Sequence, residues 1–234
     1  MASEYKHPKL GIIRLQRRVG CKRISISVGR SGRISVTHPW YVSRRAALAF
    51  VEQKAEWIMS ARQRVQQAVK PSLIGEGYRT RSHTLRVDCN APKCGYMISN
   101  SEVLVCLVSD VAADSEQGQQ VIRTALTEAL RAEAHKVLPE MVERLARQHG
   151  LSYNGITIKN IRSKWGSCSA VNHLNFSLYL MLLPNELVEM VVLHELCHTV
   201  HKNHSAEFHT LLNSLLGGRE RELNLALRKY RTSL

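Results

Sequence analysis

No run in this chain approaches the roughly eighteen consecutive apolar residues of a membrane-spanning helix, which argues against a helical membrane protein. The opening Met1-Ala-Ser-Glu-Tyr-Lys-His-Pro also lacks the apolar stretch of a signal peptide, so a cytoplasmic location is expected. None of the six cysteines forms a CxxC pair, which argues against a small secreted disulfide scaffold. Cys89 and Cys94 flank Asn-Ala-Pro-Lys and read as bounding a turn between strands, while Cys168 and Cys197 read as small buried residues. Aromatic residues make up only 6% of the chain, and no nucleic-acid-binding motif is recognisable. Internal repeats and low-complexity segments are missing as well. What remains is a chain of 234 residues, long enough for a sizeable core in one or two domains.

A further absence is local. From Lys6 through Val51 there is no aspartate or glutamate, while Lys6, Lys9, Arg14, Arg17, Arg18, Lys22, Arg23, Arg30, Arg33, Arg44 and Arg45 are basic. This segment carries most of the formal net charge of +14. Such a cluster attracts polyanions through the salt-sensitive phosphate term, so nucleic acid or a nucleotide is one expected partner; a solvated face kept soluble by charge is the other reading.

The residues that carry chemistry lie near the other end. His194-Glu195-Leu-Cys-His198 is an HExxH sequence. Four residues advance a helix slightly more than one turn, so both imidazoles project from one face and can reach a single ion. Glu195 beside them can take a proton from a water activated by that ion. Pro184-Asn185-Glu186 supplies a stop, a cap candidate and a first-turn acid, and Leu187, Val188, Met190, Val191, Val192, Leu193 and Leu196 follow, which predicts a buried helix. Histidines and a glutamate on such a helix are costly to desolvate unless a cation or hydrogen bonds satisfy them.

A catalytic zinc takes three protein ligands and leaves a position open. His201 continues the helical stripe, but residues seven apart rise about 10 Å and their rings converge poorly. His204 follows Asn203, which tolerates a left-handed conformation, so the chain can turn there and bring His204 back; its spacing from His198 equals that of the third ligand in HExxHxxGxxH, although His201 stands at the glycine position. Ser205-Ala206-Glu207-Phe208 then reads as the cap and first turn of another helix. His204 is the favoured third ligand, His209 a further candidate, and a carboxylate from the Glu220/Glu222 pair the alternative.

Elsewhere, Ile24, Ile26 and Val28 alternate with serines, Gly29-Arg30-Ser31-Gly32 is turn chemistry, and Ile34-Ser35-Val36 resumes the alternation, predicting a β-hairpin. Ser43 can cap a helix whose face includes Leu48, Val51, Ala55 and Ile58. Strands are expected at Leu85–Val87 and Val103–Leu107, and the acidic loop 110–118 is the best domain boundary. A helical period then runs from Val121 to Leu130, with Pro139 expected to kink or break it before Met141 and Leu145. Ile156–Ile161 and Leu174–Leu183 read as strands placed before the metal helix.

Taken together, Arg162-Ser-Lys164-Trp165-Gly166-Ser167-Cys168-Ser169, Leu174-Asn-Phe, Leu182-Leu183-Pro184, His194-Glu-Leu-Cys-His198 and Asn203-His204-Ser205 give the chain a resemblance to the YgjP-like metallopeptidase family, a zincin group related to WLM and SprT-type metalloproteases. The basic hairpin and the helix ending in Lys54-Ala-Glu-Trp57-Ile58 are also similar to that family's N-terminal region. The resemblance implies His194, His198 and His204 as zinc ligands, with one ion per chain. The fold expected is α+β: a basic, antiparallel, β-rich region over residues 1–115 with one helix, then a zincin-like domain over 116–234 with a small sheet and the HExxH helix. It also draws attention to Arg162, Lys164, Trp165 and Ser167 as a substrate-binding wall, since zincins commonly offer a strand edge beside the metal helix to an extended substrate. Alternatively, Trp165 packs the core and Gly166 permits a bend.

The expected activity is zinc-dependent hydrolysis, most simply of a peptide or protein with Glu195 as general base. Two other classes stay open: a metal-dependent nucleoside triphosphate pyrophosphohydrolase, and a nucleic-acid-binding protein with a structural metal.

Overall fold

The structure, a computed structural model, describes residues 2–29, 32–68 and 72–234, so Arg30 and Ser31 of the expected hairpin turn lie outside the described residues. The chain forms two compact units, Met1–Ser72 and Leu73–Leu234. No helix of the described residues is long and apolar enough to cross a membrane.

The N-terminal unit contains β1 (Ala2–His7), β2 (Gly11–Arg18), β3 (Ser25–Val28), β4 (Ile34–Pro39), α1 (Arg44–Gln53) and α2 (Ala55–Ala68). The strand order is β1-β2-β4-β3. The expected hairpin is present, with Ile26 opposite Val36 and Val28 opposite Ile34. The sheet is mixed rather than antiparallel throughout: β2 runs parallel to β4, because the chain passes from β2 to the far edge before the hairpin brings β4 back to the centre. Alternation in β2 and β4 turns Ile13, Leu15, Ile34 and Val36 onto Ala47, Val51 and Ile58 of the helices. Ser43 caps α1 by accepting a hydrogen bond from the Ala46 amide at 3.1 Å.

In the C-terminal unit, β5 (Thr84–Asp88), β6 (Gly95–Ile98) and β7 (Glu102–Cys106) form one sheet, and β8 (Gly155–Lys159), β9 (Gly166–Cys168) and β10 (His173–Ser177) another. Between them runs α3 (Glu116–His149), a helix of 34 residues capped by Ser115 and ended by left-handed Gly150. Its first half packs Ile122, Ala125, Leu126 and Ala129 on Leu85, Val103, Val105 and Leu107. Its second half packs Ala134, Leu138 and Val142 with Phe176, Leu180 and Val188 in the larger core. The first of these contacts joins residues 73–115 to the C-terminal unit, so the division falls at Ser72, upstream of the boundary expected near residue 115.

Two further expectations give way. Pro139 lies inside α3 without ending it: the missing N–H costs one hydrogen bond, while buried residues on both sides, Leu138 and Val142, hold the helix on. The run Leu174–Leu183 is a strand only to Ser177, after which Leu178–Leu182 form a 3₁₀ turn. Ser177 makes that change. Its hydroxyl accepts from the Tyr179 amide at 3.3 Å and donates to the Ile161 carbonyl at 2.6 Å. The chain then enters α4 (Asn185–Cys197), α5 (Ala206–Leu215) and α6 (Glu220–Leu227).

A buried polar knot fixes the start of β5 to α3. One oxygen of Glu133, which is 3% exposed, accepts from the Thr80 hydroxyl at 2.6 Å, the Ser82 amide at 2.7 Å and His83 Nδ1 at 2.8 Å. Glu133→Ala leaves the buried His83 without its acceptor and frees the less buried Thr80 and Ser82, and we expect it to cost about 3 kcal/mol, read as a lower urea midpoint with an unchanged slope.

Candidate metal centre

Helix α4 is apolar over most of its length, and Leu187, Val188, Met190, Val191, Val192 and Leu193 are buried before His194 is reached. The motif sits on its last turn. His198 caps the helix, and the reversal follows through Thr199 N–H to the Leu196 carbonyl at 2.9 Å and His201 N–H to the Cys197 carbonyl at 2.9 Å. Asn203 is not left-handed; Asn172 is the only non-glycine of positive φ among the described residues. Closing the turn early puts His204 beside the helix before Ser205 starts α5.

One donor nitrogen from each of His194, His198 and His204 lies within 4.8 Å of the others. His204 Nε2 is 3.1 Å from His194 Nε2. Two nitrogens on one tetrahedral zinc are about 3.3 Å apart, given metal–nitrogen bonds of roughly 2.0–2.1 Å, so the spacing suits a shared cation. His198 Nδ1 donates to the His201 carbonyl at 2.9 Å, which leaves the Nε2 lone pair free for a ligand. His201 thus serves through its backbone, and its ring stays outside the cluster. Among the described residues, neither His209 nor Glu220 joins the group: they bond each other at 2.7 Å, although the His209 ring lies 6.2 Å from that of His204. Glu222 pairs with Arg219 at 2.8 Å.

Phe208 packs beneath all three imidazoles. It is fully buried, stacks on His198 at 4.5 Å, and meets His194 at 5.0 Å and His204 at 4.8 Å edge-on. Burial and the neighbouring imidazoles His198, His204 and His209 push His194 down to about 4, so the ring is neutral and available to a cation near neutral pH.

Glu195 is only 5% exposed, and its Oε2 is buried without a hydrogen-bond partner. Burial pushes its carboxyl up to about 7 against the charge of Lys164 and a backbone hydrogen bond from Cys168. A cation on the three imidazoles would act in the opposite direction and favour the carboxylate. The edge strand β9 approaches this side chain closely. A Cβ placed on Gly166 would lie 2.7 Å from Glu195 Cγ and 2.7 Å from Oε1. Gly166 therefore makes room for the carboxylate, which is more than a permitted bend. Lys202 ties the ligand loop to the turn after β9, with Nζ donating to the Ser169 carbonyl at 3.2 Å and to Asn172 Oδ1.

The expected substrate wall divides. Lys164 is exposed with its charge felt at Glu195, and Ser167 is half-buried at the middle of β9, opposite Asn175. Trp165 packs partly against the main core. Arg162 turns elsewhere: its Nε donates to the Tyr179 hydroxyl at 3.1 Å, and its carbonyl accepts from Thr232 at 2.6 Å. Phe208 and the close approach of Gly166 are contributions that sequence reasoning missed. The available signals were an aromatic four residues after His204 and a glycine inside a strand. A cleft of 630 Å³ at the opposite end of α4, against Leu183, Pro184 and Asn185, includes none of these groups.

The sequence matches the family described as YgjP-like, metallopeptidase domain, over residues 22–229. Among solved structures, the chain is similar to the metallopeptidase zymogen jannalysin of Methanocaldococcus jannaschii, with 25% identity and a TM-score of 0.36 over 39% of this chain and 93% of that one. It is also similar to the metallopeptidase zymogen abylysin of Pyrococcus abyssi, with 16% identity and a TM-score of 0.37 over 42% of this chain and 100% of that one. No curated protein matches at a significant level.

Two substitutions separate the parts of this centre. Gly166→Ala should displace the Glu195 carboxylate while leaving the imidazoles in place, so metal content stays at wild-type level and turnover falls at least about tenfold. Phe208→Ala removes the packing under all three rings; it should lower stability by about 3–5 kcal/mol and weaken metal retention, as checked by denaturation and by elemental analysis after dialysis.

Proposed function

This chain belongs to the YgjP-like metallopeptidase family and is a metal-dependent hydrolase, and we propose that it cleaves peptide bonds, with one zinc ion on His194, His198 and His204 and with Glu195 as general base. The observation that carries this reading is the convergence of three imidazole nitrogens beside a buried carboxylate whose Oε2 has no partner. A donor set made of neutral imidazoles suits zinc, while the family itself implies only a divalent metal.

When bound, such an ion supplies Lewis acidity, which acidifies water and polarises a carbonyl. The chain's own groups do the rest. The His201 carbonyl fixes the His198 tautomer, and Phe208 holds the three rings in register. Gly166 and the Cys168 backbone hold Glu195, whose unpartnered Oε2 is the atom that accepts a proton from the attacking water and returns it to the leaving amine. Strand β9 pairs with β10 on one side only, and its other edge can align an extended peptide, with Lys164, Trp165 and Ser167 on the segment that would receive it. Arg162 supports that segment from behind by its bonds to Tyr179 and Thr232.

The test uses an unstructured protein substrate and elemental analysis side by side. Wild type should carry about one zinc per chain and cleave the substrate; Glu195→Gln should keep the metal and lose about 10²–10⁴-fold in rate, whereas His204→Ala should lose the metal itself. Release of pyrophosphate or phosphate from nucleoside triphosphates without any proteolysis would sink the peptidase reading. Failure of the wild type to take up zinc would sink the three-histidine site.

A further inference from the structure

The residues of the metal centre all lie in the C-terminal unit, which leaves the basic N-terminal unit without a role in the chemistry. A groove of 540 Å³ opens at one end of its sheet, where α1 begins. Its floor is made by Leu15 and the buried His38, and its walls by Arg17, Trp40, Tyr41 and Arg44. No carboxylate side chain lines it.

Trp40 and Tyr41 are 59% and 62% exposed and stand edge to face with centroids 5.9 Å apart. Two adjacent large rings left in water are a loss of burial that a stacking partner would recover. Cations are fixed around them. Arg17 donates through Nε, at 2.7 Å, and Nη2 to the Trp40 carbonyl, which leaves its other N–H groups for a ligand. The Tyr41 hydroxyl donates to the Lys22 carbonyl at 3.3 Å and so holds the loop after β2 beside the rings. Arg44 is the first residue of α1, whose first turn contains no acid, so the positive end of the helix dipole adds to the potential there. Arg18 ends β2 opposite Pro39, immediately before Trp40.

We propose that this groove binds single-stranded nucleic acid, with a base stacking against Trp40 and Tyr41 and the adjoining phosphates meeting Arg17, Arg18, Lys22 and Arg44. Rings at the rim of a groove offer their faces to an unpaired base, whereas a duplex keeps its base faces stacked inside. The solvent face of the sheet beside the groove presents Arg14, Gln16, Ser35 and Thr37, polar groups suited to a phosphate backbone, with the exposed Ile12 farther along β2. This interaction is independent of the peptidase reading, since no residue of the metal centre takes part.

The experiment measures binding of a fluorescent fifteen-nucleotide oligothymidylate to the full-length chain by anisotropy at several salt concentrations. Affinity should fall steeply with salt. Trp40→Ala with Tyr41→Ala should weaken binding by about tenfold or more, while Trp40→Phe and Trp57→Ala, the latter at a different exposed tryptophan, should bind close to wild type. Arg17→Ala with Arg44→Ala should flatten the salt dependence by roughly 1.4 in log–log slope, about 0.7 for each lost phosphate contact. Undiminished affinity in the double aromatic variant overturns the proposal. So does equal or tighter binding of a duplex of the same length, and so does binding of phosphatidylserine vesicles with no binding of the oligonucleotide.

Discussion

Burying a carboxylate and half-burying two imidazoles at the end of an apolar helix, with a third imidazole brought to them from the solvent side, is the constraint around which the C-terminal unit is arranged. Each group is expensive to desolvate alone. The structure compensates them individually: the His201 carbonyl receives His198, Phe208 faces all three rings, and the Cys168 backbone reaches Glu195. One atom is left over, Glu195 Oε2, and it is the atom to which the proposed reaction assigns the proton. A buried acceptor without a partner lowers stability, so its survival beside a cation site fits the tendency of functional sites to keep unsatisfied groups that a packed interior would eliminate.

Precision at that site depends on elements that carry no chemistry. Lys202 joins the loop bearing His204 to the turn after β9, and Gly166 lets β9 press against Glu195. The third imidazole and the edge strand are therefore positioned by one another. The same economy appears in α3, where Glu133 gathers three donors from the entry to β5 on a single oxygen.

The parts of this arrangement that were legible in the sequence are those governed by local spacing. His194, Glu195 and His198 follow from helical periodicity, and the hairpin, the Ser43 cap and the strands at Leu85 and Val103 follow from alternation and capping chemistry. Spacing brings His204 toward the helix pair, and the structure sets its ring beside theirs, but the device expected for its turn, a left-handed Asn203, is replaced by tight hydrogen bonds at Leu196 and Cys197. Strands β1 and β2 escaped notice because the basic residues that mark Lys6 to Arg18 hide the alternation of Ile13 and Leu15. Of the kink or break expected at Pro139 the break does not occur, because the local cost of a proline is visible in the sequence and the burial of Leu138 and Val142 is not. Gly166 and Phe208 were missed for a related reason: each acts on residues distant along the chain, and a single sequence does not display those contacts.

The length of α3 also constrains how the protein is made. Synthesis delivers the sheet of β5, β6 and β7 before the helix, so the first half of α3 finds its partners as soon as it emerges. The second half does not, because Leu138 and Val142 pack on residues between Leu174 and Leu196, which leave the ribosome later. For that interval the growing chain carries an apolar helical stripe with nothing to cover it, and part of what covers it later is α4, the helix whose last turn carries His194 and Glu195.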